Sequence, residues 1–311
     1  MEKLGLLPIP TIVDLSEHID RARLGIAESV SFYGLLGGDN PSGSLKDVGV
    51  SSVLRHALGL GIWSPPAPIA EVSNGSMARS LAWAARTWGV DSYVAYPGSS
   101  PESVARIGGS TELQYLDVPA SSEGHDHPLV RYFHDFEAEC QKRSFYFLDQ
   151  TRNHMFRLGY EEMVPGVLRQ LQELHGAAEV NCIVGAVGTG SSLGGIVAGM
   201  EKKMSRTVHS VGVEPVKSHG TNLPWHDIPG LRNTEAFHWL QFSEVDTYDA
   251  QLIKERIEVT LCRAQERTDL LCRGGIRAGL SSGAALEGFV KNAQSAQSAT
   301  YLLILCDASL A

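Results

Sequence analysis

Positive charge is in short supply in this chain, where 26 Lys and Arg stand against 35 Asp and Glu for a formal charge of −9. That balance repels polyphosphate backbones and anionic lipid surfaces, so neither nucleic acid nor membrane is an expected partner. Cysteine is scarce too. Cys140, Cys182, Cys262, Cys272 and Cys306 are odd in number and widely spaced, and no two stand in the close pairing of a zinc knuckle or redox motif, so they read as reduced core thiols. Long apolar runs are missing: no window approaches the ~20 apolar residues of a membrane helix. Pro8 and Pro10 interrupt the stretch from Gly5 to Val13, and no basic segment leads into a continuous apolar run. The expectation is a cytoplasmic protein. Internal repeats, low-complexity tracts and proline-rich linkers are absent as well.

What is present is ordinary globular material, 43% apolar and 20% charged over 311 residues, long enough for two lobes of about 150 residues each. Short apolar runs at 69–72, 93–96, 113–118, 145–148, 182–187, 208–213 and 301–305 read as strands. Their continuous apolar character fits a parallel sheet buried on both faces. Between them lie helical stripes: Val50, Val53, Leu54 and Ala57; Met77, Leu81, Ala84 and Trp88; Met163, Val167 and Leu171; and the stretch 252–261, with Pro101 as a first-turn proline behind Ser100. The alternation predicts an α/β fold.

Four polar turns fall at element ends. Asn40-Pro41-Ser42-Gly43-Ser44-Leu45-Lys46-Asp47 places a lone lysine where a helix begins. Near the positive end of a helix dipole ammonium is disfavoured, and such an amine can hold a carbonyl cofactor as a Schiff base. A surface lysine after a polar turn has the same local pattern. Gly188-Thr189-Gly190-Ser191-Ser192 lies between a strand and a helix, where glycines admit an anion to successive N–H groups and the hydroxyls add donors. The lysine of a nucleotide triphosphate loop is missing there, so a monophosphate fits better than ATP. A tight strand-to-helix turn without ligand would look alike. Gly279-Leu280-Ser281-Ser282-Gly283-Ala284-Ala285 puts paired hydroxyls at a third helix start, which serine capping alone would also explain. Ser73-Asn74-Gly75-Ser76 is the fourth such turn. In a doubly wound sheet, turns at the C-terminal strand ends meet in one crevice. A lysine, a phosphate cradle and several hydroxyls there point to pyridoxal phosphate. His125-Asp126-His127, with His134 farther on, is better explained as solvated loop than as a metal site, and no metal is expected.

With these motifs in order over most of its length, the chain resembles the fold-type II pyridoxal-phosphate enzymes, and among them the cysteine synthase and cystathionine β-synthase family. Val213-Glu214-Pro215 also matches. The resemblance implies two doubly wound three-layer α/β domains of the tryptophan synthase β type. A smaller domain, 40–148, would carry the lysine and substrate loop, and a larger one, 1–39 with 149–311, the phosphate loop. It further implies that Lys46 binds the cofactor covalently and moves the proton at the substrate Cα. Gly188, Thr189, Gly190, Ser191 and Ser192 would hold the phosphate, and Ser281 would face the pyridine nitrogen. A neutral hydroxyl there leaves the ring unprotonated, which favours loss of a β-substituent. Ser73, Gly75, Met77 and Gln150 would meet the substrate, with Asn153 following Gln150 as in the family.

The family's usual Thr-Ser-Gly-Asn-Thr loop is replaced here by Ser73-Asn74-Gly75-Ser76-Met77. Either Asn74 or Ser76 then reaches the ring hydroxyl, and the longer amide of Asn74 is favoured. The implied activity is β-replacement on an O-activated serine through an α-aminoacrylate, with sulfide, a thiol or an amine as small nucleophile. Cysteine, a cysteine analogue or diaminopropionate would be the product, and the enzyme would be a homodimer. Two alternatives stay open: β-elimination to pyruvate and ammonia, and a catalytically silent cofactor-binding subunit.

Overall fold

Short apolar and β-branched runs become ten strands in a computed structural model that describes residues 8–73, 75–108, 113–119, 128–175, 179–216, 228, 230–232, 249–294, 296 and 298–308. They are β1 (Thr11–Asp14), β2 (Val30–Leu36), β3 (Ile69–Val72), β4 (Ser92–Ala95), β5 (Leu113–Tyr115), β6 (Tyr146–Phe147), β7 (Cys182–Ala186), β8 (His209–Pro215), β9 (Glu255–Val259) and β10 (Ala299–Leu305). One sheet has six strands in the order β1-β2-β10-β7-β8-β9, the other four in the order β5-β4-β3-β6. Every neighbouring pair is parallel except β1 against β2. The helices are α1 (Arg21–Leu24), α2 (Lys46–Gly59), α3 (Ser76–Trp88), α4 (Pro101–Gly108), α5 (Pro128–Arg143), α6 (Met155–His175), α7 (Ser191–Met204), α8 (Leu261–Arg273) and α9 (Leu280–Ala293).

Successive residues of a strand face opposite sides, so a strand between two helical layers must be apolar throughout. β10 obeys this. Its Tyr301, Leu303 and Leu305 join Phe32 and Phe289 in one core, while Leu302 and Ile304 join Tyr160, Val164 and Ile196 in the other. The smaller sheet is covered likewise, with Ile69 and Val94 packed against Val53 and Leu81 on one face, and Ala70 and Ala95 against Phe136 and Cys140 of α5 on the other. Helix α2 serves both sheets: Val48 belongs to the core of the larger, and Val50, Val53 and Leu54 to that of the smaller. It crosses α6 at backbone distance. A Cβ on Gly49 would stand 2.5 Å from a Phe156 ring carbon, and one on Gly159 2.4 Å from the Ser52 Cβ.

The stretch 252–261, expected to be helical, is instead β9 preceded by a single 3-10 turn at Ala250–Leu252. Ile253, Ile257 and Leu261 repeat every four residues and so imitate a helical stripe. Alternating exposure along β9, and its parallel pairing from Val211↔Glu255 to Pro215↔Val259, decide for a strand. β1 and β2 were likewise not expected from periodicity. Among the described residues no helix is long and apolar enough to cross a membrane.

Phe289 stacks on Phe32 with ring centroids 4.9 Å apart and meets the Tyr301 ring edge-on at the same 4.9 Å. Phe289→Ala is expected to remove about 3–5 kcal/mol of unfolding free energy in urea titration. Leu60→Ser, at a residue 64% exposed, should change it by no more than about 0.5 kcal/mol.

Candidate active site

In parallel sheets the strand ends share an edge, and the loops that leave it share a crevice. At that edge the two residues after β10, Cys306 and Asp307, collect the expected motifs. The Leu45 N–H donates to the Cys306 carbonyl at 2.7 Å, and Ser44 forms an isolated antiparallel bridge with Asp307. The Gly279 N–H donates to the Asp307 carbonyl at 2.7 Å, and the Ser282 hydroxyl reaches the same oxygen at 3.2 Å. One carboxylate oxygen of Asp307 accepts from Ser281 Oγ, the other from Ser76 Oγ at 2.5 Å. Ser192 hydrogen-bonds the Cys306 thiol. Periodicity missed Asp307. An acidic residue directly after an all-apolar run, at the C-terminal end of an expected parallel strand, was the available signal.

Lys46 is the first residue of α2 and stands half-buried at this junction. Burial holds its ammonium below the usual lysine range, with Cys306, Glu71 and Asp307 opposing. The direction agrees with expectation, but its largest cause is desolvation. Asn40 and Asp47 shape the turn before the helix: Asn40 Nδ2 donates to the Ser44 carbonyl at 3.0 Å, and Asp47 accepts the Ser42 N–H at 2.8 Å as well as its hydroxyl. Burial pushes the Cys306 thiol up to about 12, so it is no thiolate at neutral pH.

At the start of α2 the Ser44 hydroxyl accepts the Lys46 N–H at 3.1 Å, but serine capping does not account for the turns before α3, α7 and α9. The capping positions of α3, α7 and α9 are Gly75, Gly190 and Gly279, and none has a side-chain capping bond. Gly190 has φ +80°, and a Cβ on Gly188 would stand 2.5 Å from the Gly230 carbonyl oxygen. The Thr189 and Ser191 hydroxyls lie 2.9 Å apart. A 14-residue helix that opens on glycine, with hydroxyls beside it, fits a phosphate monoester, and Lys46 fits the aldehyde of the same group.

Of the residues expected to meet the substrate, Ser73 is buried and its hydroxyl accepts the Gly75 N–H at 3.3 Å. Gln150 Nε2 lies 3.4 Å from the Val72 carbonyl, and the main-chain N–H of Gln150 donates to the Glu71 carboxyl at 3.0 Å. Met77 does not join the group, because its side chain is only 3% exposed within the core of the smaller sheet. Asn153 caps the start of α6, accepting the Met155 N–H at 3.1 Å. Asn74 lies outside the described residues, as does His125-Asp126-His127. Among the described residues no three His, Cys, Asp or Glu gather as for a metal.

A lysine at a helix start and a glycine-led helix without a side-chain cap, on a two-sheet α/β scaffold, fit an enzyme that holds a phosphorylated carbonyl cofactor. The chain belongs to the family described as "Pyridoxal-phosphate dependent enzyme", which matches residues 23–307. It is a pyridoxal-phosphate enzyme of fold type II. Cysteine synthase B of Salmonella typhimurium is 25% identical over 289 residues, covering 92% of this chain and 87% of that protein. An O-acetylserine sulfhydrylase isoform 3 from Entamoeba histolytica has a TM-score of 0.78 at 21% identity, covering 98% of this chain and 88% of its own. An O-ureido-L-serine synthase has a TM-score of 0.75 at 22% identity, covering 98% and 90%.

Beneath the site, Glu71 is fully buried, and burial followed by the charge of Asp149 raises its carboxyl to about 8. The folded protein then keeps a proton that the unfolded chain, with a carboxyl at 4.5, has lost at neutral pH. This contribution to stability is complete below the unfolded value and disappears as pH rises through about 8. Glu71→Gln keeps an acceptor and cannot ionise. Between pH 5 and pH 8 the wild type is expected to lose about 1 kcal/mol or more relative to the variant in urea unfolding; parallel profiles would mean that Glu71 is ionised in the fold.

Proposed function

We propose that this enzyme carries out β-replacement on an O-activated serine, exchanging the β-substituent for a small nucleophile such as sulfide, a thiol or an amine. The observation that carries this is Lys46, a half-buried amine held below its ordinary pKa where the starts of α2, α3, α7 and α9 meet. The likeness to a curated cysteine synthase B over 92% of the chain supports it. Pyridoxal phosphate, when bound, supplies an electron-withdrawing ring conjugated to the substrate nitrogen. The chain does the rest.

Gly188, Thr189, Gly190, Ser191 and Ser192 hold the phosphate through main-chain N–H groups and hydroxyls. Asn74 meets the ring hydroxyl, since Ser76 already donates to Asp307. Ser73, Gly75 and Gln150 orient the substrate carboxylate at the start of α3, and Met77 contributes main chain only. Lys46 Nζ, with its charged form disfavoured by burial, takes the proton from Cα and returns it after the nucleophile has added. The same reading gives a smaller lobe, 40–148, and a larger one, 1–39 with 149–311. β3 to β6 fall inside the first range and the other strands outside it, which supports the division. A cytoplasmic homodimer completes the reading, and the five unpaired thiols support that compartment.

Protein supplied with pyridoxal phosphate is expected to show a visible band that borohydride removes and that Lys46→Ala lacks. O-Acetylserine or O-phosphoserine should yield a new amino acid only when a nucleophile is present. Pyruvate and ammonia without nucleophile would replace this activity by elimination, a band with no turnover would make the chain a silent subunit, and no band at all would overturn the role of Lys46.

A further inference from the structure

The ladder between β3 and β6 stops early, and a side chain takes over where it stops. The Tyr146 N–H donates to the Pro68 carbonyl at 2.8 Å and the Leu148 N–H to the Ala70 carbonyl at 3.0 Å. A parallel ladder continued by two residues would send the Gln150 N–H to the Val72 carbonyl. Instead the chain turns at Asp149, whose φ of +56° lies in the left-handed region that residues other than glycine rarely enter. The Gln150 N–H then meets one carboxyl oxygen of Glu71 at 3.0 Å, and the Val72 N–H meets the other at 2.9 Å. Glu71 shares a face of β3 with Ile69 and is fully buried, so it reaches both donors from within an apolar layer. The far side of the turn is pinned as well: Asp149 accepts the Arg152 N–H at 3.1 Å and pairs with its guanidinium, which also holds Glu137 at 2.8 Å. A left-handed residue held from both sides marks a turn whose path is imposed by its surroundings.

We propose that Glu71 is the positioning residue of the substrate-carboxylate site: by joining the ends of β3 and β6 through one side chain, it sets the spacing between Ser73 and Gln150. This rests on the reading that those two residues orient the substrate carboxylate. Ser73 directly follows one of the two bonded N–H groups, and Gln150 carries the other. Glu71 lies within electrostatic reach of Lys46, so the tie sits beside the reacting centre, and its burial keeps it from touching the substrate. Two acceptor oxygens are needed, because both donors are served by this one group. A carboxamide offers a single oxygen and turns an NH2 toward the other N–H.

The test compares L-serine with ethanolamine, which lacks only the carboxylate, by titrating the visible band of the protein loaded with pyridoxal phosphate. The wild type is expected to bind L-serine the more tightly. Glu71→Gln should weaken L-serine about tenfold and ethanolamine by less than about twofold. In a Gln150→Ala background, Glu71→Gln should add nothing to the loss. Equal weakening of both ligands, unchanged L-serine affinity, or losses that add in the double variant would overturn the inference and leave the cofactor assignment standing. A wild type that binds the two ligands alike overturns the reading of Ser73 and Gln150 together with the inference, and absence of the band overturns the cofactor assignment as well. Where Glu71→Gln does not fold, amide hydrogen exchange of the loaded wild type decides: L-serine should slow exchange at Val72 and Gln150 further and ethanolamine should not, whereas an equal response to both overturns the inference.

Discussion

Two residues at the end of one strand hold the site together. β10 runs between β2 and β7 and is paired on both sides, as far as Leu305 with β2 and Ile304 with β7. Cys306 and Asp307 continue from it and bond the loop before α2, the first residue of α3, a serine of α7 and the start of α9. Hydroxyl-to-carboxylate bonds are shorter and stronger than neutral ones, and those from Ser76 and Ser281 tie the first turns of α3 and α9 to Asp307. The helix starts thus remain open toward the crevice.

Burial acts on both partners of the polar cluster in the same sense. It disfavours the ammonium of Lys46 and the carboxylate of Glu71, and in each case it outweighs the attraction between them. A lysine in water at neutral pH would be almost wholly protonated and useless as a nucleophile. At the junction of two sheets, on a helix whose apolar side chains are shared by both cores, it becomes a candidate amine. Large apolar clusters on both faces of each sheet offset the cost of placing these groups out of water.

Much of this could be read along the chain because the local chemistry is distinctive. Asn40 to Asp47, Gly188 to Ser192 and Gly279 to Ala285 are Gly/Ser turns between an apolar run and a helical stripe, and each lies where a helix begins. Strands buried on both faces, such as 69–72 and 301–305, stood out as short apolar runs. β9 did not, since a half-exposed edge strand with isoleucines four apart has the pattern of a helix until its neighbour β8 is known. Met77 occupies the place of a loop hydroxyl in sequence, yet the turn of α3 points it into the core.

By itself, the order of residues determined the fold class and the polar turns at the helix starts, because glycine, serine and apolar periodicity act over a few residues at a time. Only the tertiary structure decided that Asp307 joins Ser76 and Ser281, and that Lys46 is partly desolvated. Ser76 and Asp307 are 231 residues apart, and a bond across that distance exists only once both sheets are formed. Desolvation is likewise a property of the packed surroundings, to which residues from every part of the chain contribute.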